Sequence, residues 1–311
     1  MSATGLKKRD GGAAAVGEEV VAETRFTLVP GQIVLVKIGG NHLESEEGIA
    51  RIAAGVKLVQ SAGGHVVIVH GGGKGIDAAM VEAGLEIKKI AGLRVTSHEA
   101  LEVIEFVLRT INRRLVRALR KAGVGAVGMD AADLVRAMKH PPVPTDSGPA
   151  SLGHVGEVVG FDFDGCEALR RDMIDGVVPI IYCIGETGGA RVNINADSIA
   201  GAVAGGLRAG SAVFVSDVPG ILDASGATLA SVDPRDLAEL EAAGVIQGGM
   251  LPKVDACVEA IDRGVAQVVV ASGVQEAVAG GGTLLKKSAV RKSLANGTPT
   301  ASGPNVKIIQ Q

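Results

Sequence analysis

Val66–Gly75 reads VVIVHGGGKG. Apolar residues run into His70, three glycines follow, and the pattern beyond them is helical. A buried strand that ends in a glycine turn and enters a helix brings backbone N–H groups close to an anion. Three other stretches answer it: VKIGGN at Val36–Asn41, NINAD at Asn193–Asp197 and GGMLPK at Gly248–Lys253. Four turns rich in glycine or asparagine, with lysines beside them, point to phosphoryl transfer.

The commoner phosphate motifs fit less well. A Walker A loop needs Gly-x4-Gly-Lys-Ser/Thr. Counting back from Gly73-Lys74 puts Ile68 where the first glycine belongs, and Gly75 stands where the hydroxyl belongs. Gly73, Gly75 and Ala78 do match the loose Gly-x-Gly-x-x-Ala form of a dinucleotide fingerprint. The acidic residue at about the right distance, Glu99, starts a helix instead of ending a second strand, so this oxidoreductase reading is the weaker alternative.

Outward from this stretch, buried strands are expected at Ile33–Ile38, Val66–Val69, Gly125–Val127, Val177–Cys183, Ser211–Ser216 and Gln267–Ala271. Helical periodicity runs from Ser45 to Ala62, and over Gly75–Ala83, His98–Ala122, Cys166–Asp175, Asp197–Leu207, Asp233–Ala243 and Lys253–Arg263. Glu86–Thr96 reads as a hairpin or loop. Ala131–Gly160, with Pro141, Pro142, Pro144 and Pro149, reads as an irregular surface loop, a strand at Glu157–Phe161 on its far side, and Gly185–Ala190 as a turn. Strands alternating with helices imply an α/β protein with a mostly parallel sheet and helices on both faces. Residues 1–28, with a short helix within Gly17–Thr24, and 288–311 read as flexible tails.

Composition narrows the function. The chain has 311 residues, 47% hydrophobic, enough for one large core or two lobes on a shared sheet. A net charge of −3 lacks the footprint of a nucleic-acid binder, and 2% aromatic content leaves few stacking platforms. No apolar run approaches the roughly 18 residues of a membrane span. The N-terminus shows no secretory h-region, and Cys166, Cys183 and Cys257 are widely spaced and odd in number. Together these features place the chain in the reducing cytoplasm, without a disulfide framework.

Lys37 interrupts an apolar strand, which is costly unless its ammonium reaches an anion or snorkels from a frayed end. Gly39 and Gly40 directly after it favour the anion, because their N–H groups can turn toward it. Lys253 opens a helix, where its charge opposes the helix dipole, so an anion there is the better explanation. Asp197 is either an N-cap or a partner for lysines; a capping role leaves Asn193 and Asn195 unexplained. Arg94 offers a fork for a carboxylate, or is a surface arginine. His70 beside the glycines reads as structural. The histidines have no metal-ligand spacing, so no metal held by protein side chains is expected.

Together these stretches resemble the amino-acid kinase family, most closely its branch that phosphorylates N-acetylglutamate. The resemblance covers about Ile33 to Leu285 and rests on VKIGGN, VIVHGGG, AGLRVT (Ala91–Thr96), LGHVGEV (Leu152–Val158), NINAD, SDVPGILD (Ser216–Asp223) and GGMLPKV, in order and at about the family's spacing. It implies a three-layer αβα sandwich around a mainly parallel sheet. An acyl-amino-acid-binding lobe is implied at about 29–187 and a nucleotide-binding lobe at about 188–287. The implied reaction is ATP-dependent phosphorylation of the γ-carboxylate of N-acetyl-L-glutamate, with Mg²⁺ carried by ATP. A related acyl or carrier-linked amino acid, of the aminoadipate or glutamate type, is the alternative substrate.

By motif position, the resemblance implies that Lys37 and Lys253 flank the transferred phosphoryl group and that Asp197 orients them. Gly72, Gly73, Arg94 and Asn193 would hold the acyl amino acid. Gly39 and Gly40 would give N–H groups to phosphate oxygens. Asp217, Val218, Pro219, Gly220, Ile221 and Leu222, with Val245, Gly248, Gly249 and Met250, would line the nucleotide site. Lys74-Gly75, the GMDAAD run at Gly128–Asp133 and the proline-rich loop depart from the pattern. The short segment between Val270 and Gly282 and the N-terminal extension, which lacks an aromatic-containing helix pattern, point away from arginine inhibition and toward a homodimer.

Overall fold

The structure, a computed structural model, describes residues 26–287. The helix expected within Gly17–Thr24 and the C-terminal tail from residue 288 lie outside the described residues. In chain order the strands are β1 (Ile33–Ile38), β2 (His65–His70), β3 (Lys89–Ile90), β4 (Leu93–Arg94), β5 (Ala126–Asp130), β6 (Val135–Lys139) and β7 (Val155–Phe161). They continue as β8 (Val178–Tyr182), β9 (Ile184–Thr187), β10 (Ala190–Ile194), β11 (Ser211–Val215), β12 (Ser231–Val232), β13 (Gln267–Ala271) and β14 (Thr283–Leu285). The helices are α1 (Glu46–Ser61), α2 (Gly73–Glu82), α3 (His98–Lys121), α4 (Phe163–Ile174), α5 (Ala196–Gly206), α6 (Leu237–Ala242), α7 (Leu251–Asp262) and α8 (Val274–Val278).

Eight strands form the central sheet in the order β12-β14-β13-β11-β1-β2-β8-β5. The six strands from β13 to β5 run parallel, and β14 joins antiparallel to β13. Strands buried on both faces are apolar on both, which is why β1, β8 and β11 carry no alternation, with Lys37 and Ser211 as their polar exceptions. Period two still sorts their side chains. Ile33 and Leu35 pack with α2, α5 and α7 on one face, while Val34, Val36 and Ile38 pack with α1 and α8 on the other. The two cores make the three layers.

Helix ends follow local chemistry. Ser45 caps α1 through Gly48 N, and Ser97 caps α3 through Ala100 N. Gly63, Gly84 and Gly123 follow α1, α2 and α3 with positive φ, as a C-terminal left-handed residue requires.

Two expectations need correction. The stretch 131–160 is not one irregular loop: Val135–Lys139 pairs antiparallel with Val155–Phe161, and only the proline-rich connection between them is irregular. Strand β6 reads VRAMK and buries only Val135, so its apolar signal was too thin to see. Gly185–Ala190 is likewise mostly strand. Strands β9 and β10 form a hairpin whose tight turn is Gly188-Gly189, both at positive φ, as that turn demands. These strands build a second sheet in the order β6-β7-β10-β9, while β3 and β4 form the expected small hairpin.

Candidate active site

Parallel strands β1, β2 and β11 end in register, so their C-terminal turns share one edge. Crevices at that edge are where open α/β sheets bind ligands. Lys37 lies on the same face of β1 as Ile33 and Leu35, and its side chain, 7% exposed, therefore reaches toward α5. There its Nζ stands 2.7 Å from Asp197 Oδ1. Lys253, in the first turn of α7, brings its Nζ to 3.7 Å from the same oxygen. The two lysines, 216 positions apart in sequence, converge on one carboxylate.

The cap of α5 is Asn195, whose Oδ1 accepts from Asp197 N at 2.7 Å. That relieves Asp197 of capping and leaves its carboxylate to the lysines. Burial pushes the Asp197 carboxyl up, but the Lys37 and Lys253 ammoniums outweigh it and hold it below the usual carboxylate range. The Lys253 ammonium is pushed down, first by burial and then by the charge of Lys37.

The glycine turns meet beside this cluster. A Cβ on Gly40 would lie 2.6 Å from Gly73 N, so only a hydrogen lets the turn after β1 approach the turn after β2 so closely. Gly73 also has φ +40, at the start of α2. Gly72, which precedes it, packs against Ile76 and Leu108. Next to Gly40, Asn41 Nδ2 donates to Asp217 Oδ2 at 2.6 Å, and His42 Nε2 lies 3.3 Å from Asp217 Oδ1. Asp217 thus ties the turn after β11 to the turn after β1. Further along, Ile221 N donates to the buried Thr283 Oγ1 at 2.8 Å, and Gly220 fits closely against the same threonine. Leu222 bridges to Thr228. Gly248, Gly249 and Met250 form the single 3-10 turn that leads into α7 and Lys253, and Val245 precedes them.

His70 is buried on the opposite face of the sheet. Its Nδ1 lies 3.1 Å from the Gly71 carbonyl and its Nε2 3.1 Å from Asn112 Nδ2, which also donates to Ile180 O. Burial pushes its pKa down to about 4, so the ring is neutral and held as a donor at Nδ1 and acceptor at Nε2. The Cys183 thiol donates to the His70 carbonyl, and burial pushes its pKa up to about 12.

The residues expected for the acyl amino acid are brought to one side but are partly engaged. Arg94 Nη2 pairs with Asp77 Oδ1 on α2, and Nη1 lies 3.4 Å from the Met80 sulfur. Asn193 Nδ2 donates to Thr96 Oγ1 at 3.3 Å. Sequence reasoning missed Asp77, because an aspartate in the first turns of a helix is ordinary and nothing local links it to Arg94. Among the described residues no group of three or more His, Cys, Asp or Glu side chains could hold a metal ion. Nor is any described helix long and apolar enough to cross a membrane.

A sequence profile described as the amino acid kinase family matches residues 32–272. The chain belongs to the amino acid kinase family. Within that family it is 40% identical over 241 residues to a protein of Chloroflexus aurantiacus named acetylglutamate kinase, covering 76% of this chain and 90% of the relative. It is 36% identical over 247 residues to the acetylglutamate kinase of Paracoccus denitrificans, covering 78% of each chain. The crystal structure of smu.665 from Streptococcus mutans UA159 superposes with a TM-score of 0.70 at 29% identity, covering 82% of this chain and 99% of that one. Membership in a kinase family overturns the dinucleotide alternative for Gly73–Ala78. In this amino acid kinase the glycine run is a turn shared with Gly40.

Proposed function

We propose that this chain is an acetylglutamate kinase, transferring the γ-phosphoryl group of ATP to the γ-carboxylate of N-acetyl-L-glutamate to give N-acetylglutamyl 5-phosphate, a step of arginine biosynthesis. The observation that carries the reading is the convergence of Lys37 and Lys253 on Asp197, beside the Gly40–Gly73 contact. The names of the curated relatives point the same way.

The attacking carboxylate, with a pKa of about 4.3, is already ionised at neutral pH, so no general base is needed. A neutral, fully bonded His70 fits that economy. What the protein must do is bring two anions together and neutralise charge in a loose transition state. Lys37 and Lys253 would flank the phosphoryl group, and Asp197 would hold them at a fixed spacing. Gly39, Gly40 and Gly73 would turn N–H groups toward its oxygens. Gly72, Gly73, Arg94 and Asn193 would hold the acyl amino acid. Asp217–Leu222 and Val245–Met250 would line the nucleotide site, with the acyl-amino-acid lobe at about 29–187 and the nucleotide lobe at about 188–287. A cleft with two lysines and N–H-rich turns suits a polyphosphate better than a bare cation. Mg²⁺, which neutralises phosphate charge, would therefore arrive on ATP.

We place the enzyme in the cytoplasm, where buried free thiols such as Cys166, Cys183 and Cys257 persist. The assembly we propose is a homodimer. Strand β5 is the last strand of the central sheet, and its Val127 is 42% exposed, an edge that a second copy would bury. Light scattering tests this, since a monomer at micromolar concentration would refute it. For the activity, a coupled ADP-release assay with N-acetylglutamate, glutamate and aminoadipate decides. Turnover on N-acetylglutamate well above the others is expected, and preference for another acceptor would overturn the substrate.

A further inference from the structure

Thr96 has no assigned role, yet its side chain joins both residues expected to grip the acyl amino acid. It is fully buried, at 0% exposure. Its Oγ1 donates to the Arg94 carbonyl at 2.8 Å and accepts from Asn193 Nδ2 at 3.3 Å. The backbone around it is equally tied. Thr96 N donates to Leu152 O at 2.9 Å, His154 N donates to Thr96 O at 2.7 Å, and Asn193 N donates to His154 O at 2.9 Å. Gly153 sits so close that a Cβ there would lie 2.2 Å from Thr96 O. Three segments distant in sequence, around Arg94, Gly153 and Asn193, are laced at this one threonine.

We propose that Thr96 is a positioning residue for acyl-amino-acid binding, fixing the amide of Asn193 relative to the strand that carries Arg94. The reasoning is donor logic. A hydroxyl has one proton, and here it is spent on the Arg94 carbonyl, so toward Asn193 the oxygen only accepts. It therefore holds the amide with Nδ2 inward. A flipped amide would set Oδ1 against an oxygen with no proton to give, leaving a buried repulsion. The second amide hydrogen and Oδ1 of Asn193 remain for a ligand carboxylate or amide. A methyl in place of the hydroxyl would keep the packing and release the amide. The backbone lacing would still place Asn193 but would no longer orient its head.

The inference rests on the proposed function, and the test separates the two. Steady-state kinetics are measured by ADP release for the wild type, Thr96→Val and Thr96→Ser, with N-acetylglutamate and ATP varied in turn, and thermal midpoints recorded. Thr96→Val removes both hydrogen bonds of the hydroxyl, and losing the one that orients Asn193 should raise the KM for N-acetylglutamate about fivefold. The KM for ATP should stay within about twofold, and Thr96→Ser, which keeps the hydroxyl, should restore the wild-type KM. If Thr96→Val does not fold, Thr96→Ala, which also lacks the hydroxyl, carries the same expectation. An unchanged KM for N-acetylglutamate in a hydroxyl-free variant would overturn the inference. So would a serine variant no better than valine, or a rise in both KM values that tracks the thermal midpoint. A wild-type enzyme releasing no ADP with N-acetylglutamate, glutamate or aminoadipate would sink the functional reading and the inference with it. If it prefers another of these acceptors, the same comparison is made on that acceptor.

Discussion

Lys37 Nζ stands 2.7 Å from Asp197 Oδ1, with the lysine side chain 7% and the aspartate 15% exposed. Two cations and one anion so close and so shielded from water carry a net charge of +1 that a polyphosphate would neutralise. A preorganised donor at a developing charge contributes about 2.7–4 kcal/mol, or roughly a hundredfold or more in rate. Lys37→Ala or Lys253→Ala should therefore lower kcat at least about a hundredfold while circular dichroism stays unchanged. Near-normal turnover in either variant would remove that lysine from the phosphoryl site.

The two glycines after Lys37 look alike in sequence but differ in surroundings. A Cβ on Gly39 would find only Val215 O, at 4.0 Å, whereas one on Gly40 would strike Gly73 N at 2.6 Å. Gly40→Ala must push the two turns apart, and misplacing a reacting group by about 1 Å costs on the order of a hundredfold. We expect kcat to fall at least tenfold in Gly40→Ala, and by less than about threefold in Gly39→Ala. Equal losses in a side-by-side assay would mean that the contact between the turns does not set the geometry.

How far the sequence carried is clearest at these residues. Lys37 was legible because a lysine inside an apolar strand demands an explanation, and period two then aims it at the face where α5 and α7 pack. Asn195 and Asp197 were harder. Both are good caps, two residues apart at a helix start, and only the position of the first turn decides that Asn195 caps and Asp197 pairs. The hold of Asp77 on Arg94 was invisible, since it joins a helix to a later hairpin without any periodic signal. Strand β6 was lost for a different reason, because an exposed edge strand with one buried residue has almost no apolar pattern to read.

The alkaline limb of activity should come from Lys253. Burial and the neighbouring Lys37 charge both favour its neutral form, so its proton leaves below the ordinary lysine value of about 10.4. If the cation is what stabilises the moving phosphoryl group, kcat falls as pH rises through that lowered value. Arginine stays charged throughout. A pH profile of kcat should therefore show the limb below about 10.4 in the wild type, and no such limb in whatever activity Lys253→Arg retains. A limb that survives unchanged in Lys253→Arg belongs to another group.

His70 makes a separate prediction about stability on the acid side. Its folded pKa is about 4, against about 6.5 when unfolded, so between those values the unfolded chain binds a proton that the folded chain refuses. The stability is fully present above about pH 6.5 and is lost as pH falls toward about 4. The Asp197 carboxyl, held below the usual carboxylate range, adds to the loss only at still lower pH. Replacing His70 with glutamine keeps a hydrogen-bonding group opposite Asn112 but removes the titration. We expect the thermal midpoint of the wild type to drop between about pH 7 and pH 5, and that of His70→Gln to drop distinctly less. The same drop in both proteins would show that burial does not hold the ring neutral.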